Sequence, residues 1–262
     1  MWKTGTIALA LLVLIVSWGR LAELSHIAYE NITFRFEPTA ERAFEYGERH
    51  FNAKDPQMYD IDRAERYFDQ AAAKDPSIPY LYHELARISF LRGNYDQALA
   101  RINFHIRLHP DTAPNAYYVR GLINGFKGDY TAAEKDFEHF LKTNPDSWAG
   151  INDYAWVLLK NDKPREAAEA LKRGVEASPE NPWLLNSYAT ALYELEGYDE
   201  ALVFAQRASV AATSLTEAQW SRANPGNDPR VAGEGVATFR RAVEENIHTI
   251  ELAIASSTVE SR

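Results

Sequence analysis

The amino-acid sequence predicts an all-α fold: a run of repeated helix pairs, with an apolar helix ahead of it and a capping helix behind. Three observations carry this. Alanine recurs at Ala64, Ala98, Ala133, Ala167 and Ala201, at intervals of 34, 35, 34 and 34 residues. Proline recurs at Pro76, Pro110, Pro145 and Pro179, each twelve residues behind one of those alanines. Between these marks the apolar residues keep helical spacing. A fixed period of this length is the signature of stacked supersecondary units, and two residue types holding it in phase argue strongly against coincidence.

The chain opens on an uncharged stretch, residues 4–19, bracketed by Lys3 and Arg20. A spanning helix needs about 17–25 residues and a signal-peptide core about 7–15, so the stretch falls between the two. Snorkelling Lys3 and Arg20 and an interfacial Trp18 lengthen its usable span. Residues 1–20 therefore read as a transmembrane anchor or a signal peptide. The anchor reading is single-pass, with the repeats on the extracytoplasmic side. Cleavage after Gly19, leaving a secreted or periplasmic chain, is the alternative, and a buried apolar helix is the third. Trp18 beside the cut and the lack of Ala-x-Ala favour the anchor. Residues 21–39 read as a continuing juxtamembrane helix and then a linker at Glu37-Pro38, since proline disfavours helix at the residue before it.

The repeats occupy residues 40–213, in units near 40–76, 77–110, 111–145, 146–179 and 180–213. In the second unit Tyr82, Leu85, Ala86 and Ser89 share one helical face. Gly93-Asn94 breaks the pattern, as a tight turn with a left-handed residue requires. Tyr95, Ala98, Leu99, Ile102 and Ile106 form the face of a second helix, and Pro110 ends it for want of an N–H. A small alanine at one place in every unit lets two helices cross closely. Units three to five repeat the scheme through Tyr117, Gly121, Gly128-Asp129-Tyr130, Ala133 and Phe137, then Ile151, Tyr154-Ala155, Leu158 and Leu171, then Leu185, Tyr188-Ala189, Leu192, Gly197-Tyr198 and Ala208. The turn of unit four, Asn161-Asp162-Lys163-Pro164, replaces the usual glycine and aromatic. Unit one matches through Ala64, Phe68, Ala71 and Pro76, with an enlarged turn at Asn52–Tyr59.

This pattern resembles the tetratricopeptide repeat, a 34-residue helix–turn–helix. The resemblance covers residues 40–212 and implies an α-solenoid, a right-handed superhelix of about five helix pairs. Residues 214–256 read as C-terminal capping helices, the last with Val236, Phe239, Val243, Ile247, Ile250 and Ile254 on one face. An exposed last repeat needs such a cover. A second partner-binding helix is the other reading of that segment, and residues 257–262 read as a disordered tail.

The resemblance further implies that the first helix of each unit lines a concave groove holding a partner peptide or helix. By register, unit two contributes Tyr80, His83, Glu84, Arg87 and Phe90. Unit three contributes Tyr118, Val119, Leu122 and Phe126, and unit four Asn152, Asp153, Trp156, Leu159 and Lys160. Unit five contributes Trp183, Asn186, Ser187, Thr190 and Tyr193. Aromatics offer a large contact area at low entropy cost, and an amide at Asn152 and Asn186 both donates to and accepts from a peptide backbone. The paired Lys and Arg of the subclass that clamps acidic C-termini are lacking. Several of these aromatics equally suit core positions.

Composition narrows the function classes. Hydrophobic residues make up 46% and charged residues 25%, which excludes disorder across most of the chain. A net charge of −9 repels phosphate backbones, so nucleic acid is not an expected partner. No cysteine is present, which removes disulfides, thiolate metal sites and a cysteine nucleophile. No phosphate loop, dinucleotide fingerprint, serine elbow or His-Glu-x-x-His helix occurs. His105 and His109 stand at i, i+4, a metal-binding spacing, but no third ligand is indicated by spacing and packing roles explain them. The expected function is therefore non-enzymatic, with no metal and no cofactor: a membrane-tethered adaptor holding a protein or peptide in its groove. A structural spacer, or a self-assembling accessory subunit of an envelope polysaccharide or pilus system, is the alternative.

Overall fold

The structure, a computed structural model, describes residues 25, 28–30, 32–36, 38–52, 56–110 and 114–260. The described residues contain helices and turns and no strand. They divide into two compact units, Met1–Leu81 and Tyr82–Arg262.

The first unit holds α1 (Ala40–Phe51), a 3-10 turn (Pro56–Met58) and α2 (Ile61–Lys74). Thr39 and Asp60 cap the two helices by accepting from the backbone amides of Arg42 and Arg63. Ala43 and Ala64 are fully buried where the helices cross, and a Cβ at Gly47 would lie 2.5 Å from the Phe68 ring. Within the stretch expected to be juxtamembrane helix and linker, residues 28–30 and 32–36 are helical and pack onto this pair. Glu30 is fully buried, 2.8 Å from His50 Nε2 and 3.3 Å from Arg49 Nη1. A carboxylate withdrawn from water needs such partners, because an unpaired buried charge costs several kcal/mol. The Phe34 ring meets Tyr67 edge-on at 5.9 Å. The enlarged turn contains the 3-10 segment; its residues 53–55 lie outside the described residues.

The second unit stacks four helix pairs: α3 (Leu81–Leu91) with α4 (Tyr95–Leu108), α5 (Pro114–Lys127) with α6 (Tyr130–Thr143), α7 (Trp148–Lys160) with α8 (Pro164–Ala177), and α9 (Pro182–Glu194) with α10 (Tyr198–Thr213). Ala98, Ala133, Ala167 and Ala201 have no exposed surface, as the close crossings require. The periodic prolines act through the residue in front of them. His109, Asn144 and Ser178 each precede a proline, which excludes right-handed helix there. They adopt φ/ψ of −131/61, −131/58 and −139/73 and end α4, α6 and α8. Inside each pair the turn needs one left-handed residue. Gly93 (φ 73) and Gly128 (φ 91) supply it, and Asp162 (φ 58) and Glu196 (φ 62) take the same place. Gly197 stands one position later and caps α10 at φ −81.

Pairs are also held by buried polar groups. The Arg120 guanidinium grips the Asp136 carboxylate through Nε (2.9 and 3.1 Å) and Nη2 (2.6 Å), and Nη1 reaches Asn103 Oδ1 at 2.9 Å. Asn124 Nδ2 adds a bond to Asp136 Oδ2 at 3.0 Å. This ties α4, α5 and α6 together. The bidentate fork is the strong geometry for a carboxylate.

Behind the pairs come α11 (Glu217–Ala223) and α12 (Ala232–Glu260). α11 opens with a capping box formed by Thr216 and Gln219. On α12, Val236, Val243 and Ile250 are buried, and Phe239, Ile247 and Ile254 pack against the core of the last two pairs. Arg240 donates to the carbonyls of Ala212 (2.9 Å), Thr213 (2.9 Å) and Leu215 (3.2 Å). A cation there satisfies orphan carbonyls at the end of α10 and opposes its dipole.

The single-pass membrane assignment is corrected. Among the described residues no helix is long and apolar enough to cross a membrane. The 29-residue α12 has the length but carries Glu234, Arg240, Arg241, Glu244, Glu245 and Glu251. The apolar segment 4–19, on which the assignment rested, lies outside the described residues.

Candidate functional site

In the second unit the first helices of successive pairs face a cavity of about 700 Å³. Its walls come from α3 and the α3–α4 turn (Arg87, Phe90, Arg92, Tyr95), from α5 (Tyr118, Val119, Leu122, Phe126), from α7 (Trp148, Asn152, Asp153) and from Trp183 of α9. The loop after α11 closes one side with Asn224, Pro225 and Asn227. Spacings of 34–35 residues therefore bring side chains far apart in sequence onto one surface.

From Phe90 and Phe126 on this wall an aromatic ladder leads away to Trp156 and Tyr130, which do not line the cavity. Phe90 meets Phe126 edge-on at 5.2 Å, Phe126 lies 5.3 Å from Trp156, and Trp156 meets Tyr130 at 6.2 Å. Phe126 is 55% exposed, which makes it the member most open to a partner. Trp156 itself is half-buried against the Ala133–Phe137–Val157 core, and a Cβ at Gly125 would lie 2.7 Å from its ring. Trp148 and Trp183 stack at 5.1 Å.

The polar floor is organised by Asp153. Tyr118 Oη donates to Asp153 Oδ2 at 2.6 Å and Asn152 Nδ2 to Oδ1 at 3.2 Å, while Ser187 Oγ donates to Asn152 Oδ1 at 2.7 Å. Burial pushes the Asp153 carboxyl up, against the opposing pull of the Tyr118 and Asn152 hydrogen bonds. Burial, and then the neighbouring Asp153, push the Tyr118 phenol up as well.

The remaining residues named from register have different surroundings. His83 and Glu84 are buried, with His83 Nδ1 2.8 Å from Glu84 Oε1 and Arg87 Nη1 2.6 Å from Glu84 Oε2. Burial raises the Glu84 pKa, but the bonds and charges of His83 and Arg87 outweigh it and leave the carboxyl below its usual range. Tyr80 belongs to the first unit, exposed in the turn ahead of α3 at φ 65. Lys160 is exposed at the end of α7. On α9 the face is covered by α12: Asn246 Nδ2 reaches Asn186 Oδ1 (3.0 Å) and Thr190 Oγ1 (3.3 Å), and Phe239 lies 5.4 Å from Trp183. Tyr193 stays half-buried 5.5 Å from Tyr198. Sequence register gave no sign that α12 and the 224–227 loop border this surface; no period links them to it. His83 also comes beside His105 and His109, with ring centroids 5.7 and 5.2 Å apart in turn. Among the described residues no group of three or more His, Asp and Glu is arranged to hold a metal ion.

Comparison with known proteins places this geometry. Two profiles, each described as tetratricopeptide repeat, match residues 57–113 and 111–221. The chain is similar to Protein FlbA of Caulobacter vibrioides, 27% identical over 167 residues, covering 64% of this chain and 28% of that protein. It is also similar to the human mitochondrial import receptor subunit TOM70, 27% identical over 120 residues, 44% of this chain and 20% of that one. The chain thus spans less than a third of either relative. Among solved structures, MamA from Desulfovibrio magneticus superposes with a TM-score of 0.59 at 15% identity, over 67% of this chain and 96% of that chain. Yeast Tom70 superposes with a TM-score of 0.56 at 16% identity, over 90% and 46%. With the period, the alanine crossings and the left-handed turns all in register, the chain belongs to the tetratricopeptide-repeat family.

Proposed function

We propose that this chain is a protein-interaction scaffold that holds an extended segment of a partner protein in the cavity faced by α3, α5 and α7. The observation that supports the reading most is the exposed aromatic Phe126, set beside Leu122, Trp148 and an amide-rich floor in one cavity of about 700 Å³. Apolar walls with a few convergent polar groups are the usual make-up of a binding site. Aromatic anchors carry most interface energy, and the Asn152, Asn224 and Asn227 amides suit a peptide backbone whatever its sequence. Because α12 occupies the α9 face, the binding surface centres on α5 and α7, and Asn186, Thr190 and Trp183 serve the cap as well as the rim.

In-cell photo-crosslinking from position 126, compared with position 252 on the exposed side of α12, where Leu252 is 55% exposed, tests this. A dominant adduct from position 126 that is missing from position 252 supports the reading. Adducts from position 252 alone, or only between copies of this chain, contradict it.

A further inference from the structure

Asp153, half-buried on this cavity, stands apart from the buried acids of the second unit. Asp136 is met by Arg120, and Glu84 by Arg87 and His83. Asp153 has neutral partners only, the Tyr118 hydroxyl and the Asn152 amide. Among the described residues no cation lies within ion-pair distance of it. A carboxyl taken from water without a counter-charge is costly, and here burial raises its pKa. Yet it lines an open cavity whose walls include Tyr118, Trp148 and Trp183. Aromatic faces attract cations within about 6 Å. Of the two arginines on the same cavity, Arg87 is engaged by Glu84, and Arg92 at the α3–α4 turn disfavours a cation at that end.

We propose that Asp153, in the cavity walled by Tyr118 and Trp148, forms a subsite for a basic side chain, lysine or arginine, of the partner segment. The inference rests on the groove reading above and adds the chemistry of one recognition position. A bound cation supplies the missing counter-charge, and the Tyr118 and Asn152 hydrogen bonds hold the carboxylate in place to receive it. Protonation of Asp153 removes the attraction, so binding weakens as pH falls through its pKa.

The test uses the full chain and four peptides, identical except for a central Lys, Arg, norleucine or Glu, titrated by NMR on the tryptophan indole N–H signals. The Lys and Arg peptides are expected to shift the Trp148 and Trp183 signals and to bind at least about ten-fold tighter than norleucine. Asp153→Asn is expected to erase that advantage and leave norleucine binding unchanged. Tyr118→Phe, which keeps the carboxylate but removes one of the two bonds that hold it, is expected to reduce the advantage without erasing it. Equal binding of the Lys and norleucine peptides overturns the cation subsite while leaving the groove reading intact. Preference for the Glu peptide, or no shift with any peptide while position 126 still crosslinks a partner, overturns it too.

Discussion

The four turns inside the helix pairs of the second unit allow one backbone rule to be tested at equivalent positions. Gly93, Gly128, Asp162 and Glu196 all hold a positive φ, between 58° and 91°. A side chain in that conformation costs about 1–2 kcal/mol, whereas glycine adopts it freely but loses about 0.5–1 kcal/mol more backbone entropy on folding. Glu196→Gly should therefore stabilise by about 0.5–1 kcal/mol. Asp162→Gly should gain less, because aspartate tolerates the left-handed region better. The reverse changes, Gly93→Ala and Gly128→Ala, should each cost about 1 kcal/mol or more. No atom lies within 4 Å of a Cβ built at either glycine, so packing contributes nothing and the backbone acts alone. Urea unfolding of the full chain, followed by circular dichroism, reads the four midpoints. A lowered midpoint for Glu196→Gly, or an unchanged one for Gly93→Ala, refutes the reasoning.

Two further outcomes follow from buried polar groups. Asp136→Ala leaves the Arg120 guanidinium and the Asn124 amide without their acceptor and should destabilise by about 3–5 kcal/mol, with the same urea assay as the measure; a loss below about 1 kcal/mol would show the fork to be dispensable. Burial first, then the charges of His83 and His109, lower the His105 pKa to about 4 from 6.5, against an opposing pull from Glu84. The unfolded chain then binds this proton more readily, so stability holds above pH 6.5 and falls as pH drops from 6.5 towards 4, by up to ~3 kcal/mol. Thermal unfolding across that range should show a slope that His105→Gln reduces; equal slopes in both proteins would remove His105 from the acid response.

The helix pairs were legible because each rests on a local steric demand that one residue type meets: alanine at the crossing, proline to force the preceding residue out of the helix, glycine in two of the turns. The turn at Glu196 was less legible, since Gly197 invites the left-handed assignment and takes instead the cap position. Groove residues were legible only as register. Whether Trp156 or Phe126 stays open depends on what Gly125 lets approach, and whether Asn186 is free depends on Asn246, sixty residues away. The ion pairs of Asp136 and Glu30 likewise join segments that no short-range pattern connects. The expected membrane span rested on residues 4–19, outside the described residues, and among the described residues no helix replaces it.

The most direct test of the central claim is calorimetric titration of the crosslinked partner's segment against the full chain and two variants. Leu122→Asp places an unpaired charge inside the cavity; Leu252→Asp places one on the exposed side of α12. With both variants folded by circular dichroism, the account expects at least a ten-fold loss of affinity, about 1.4 kcal/mol, for Leu122→Asp and none for Leu252→Asp. Unchanged affinity for Leu122→Asp, or loss confined to Leu252→Asp, would contradict it.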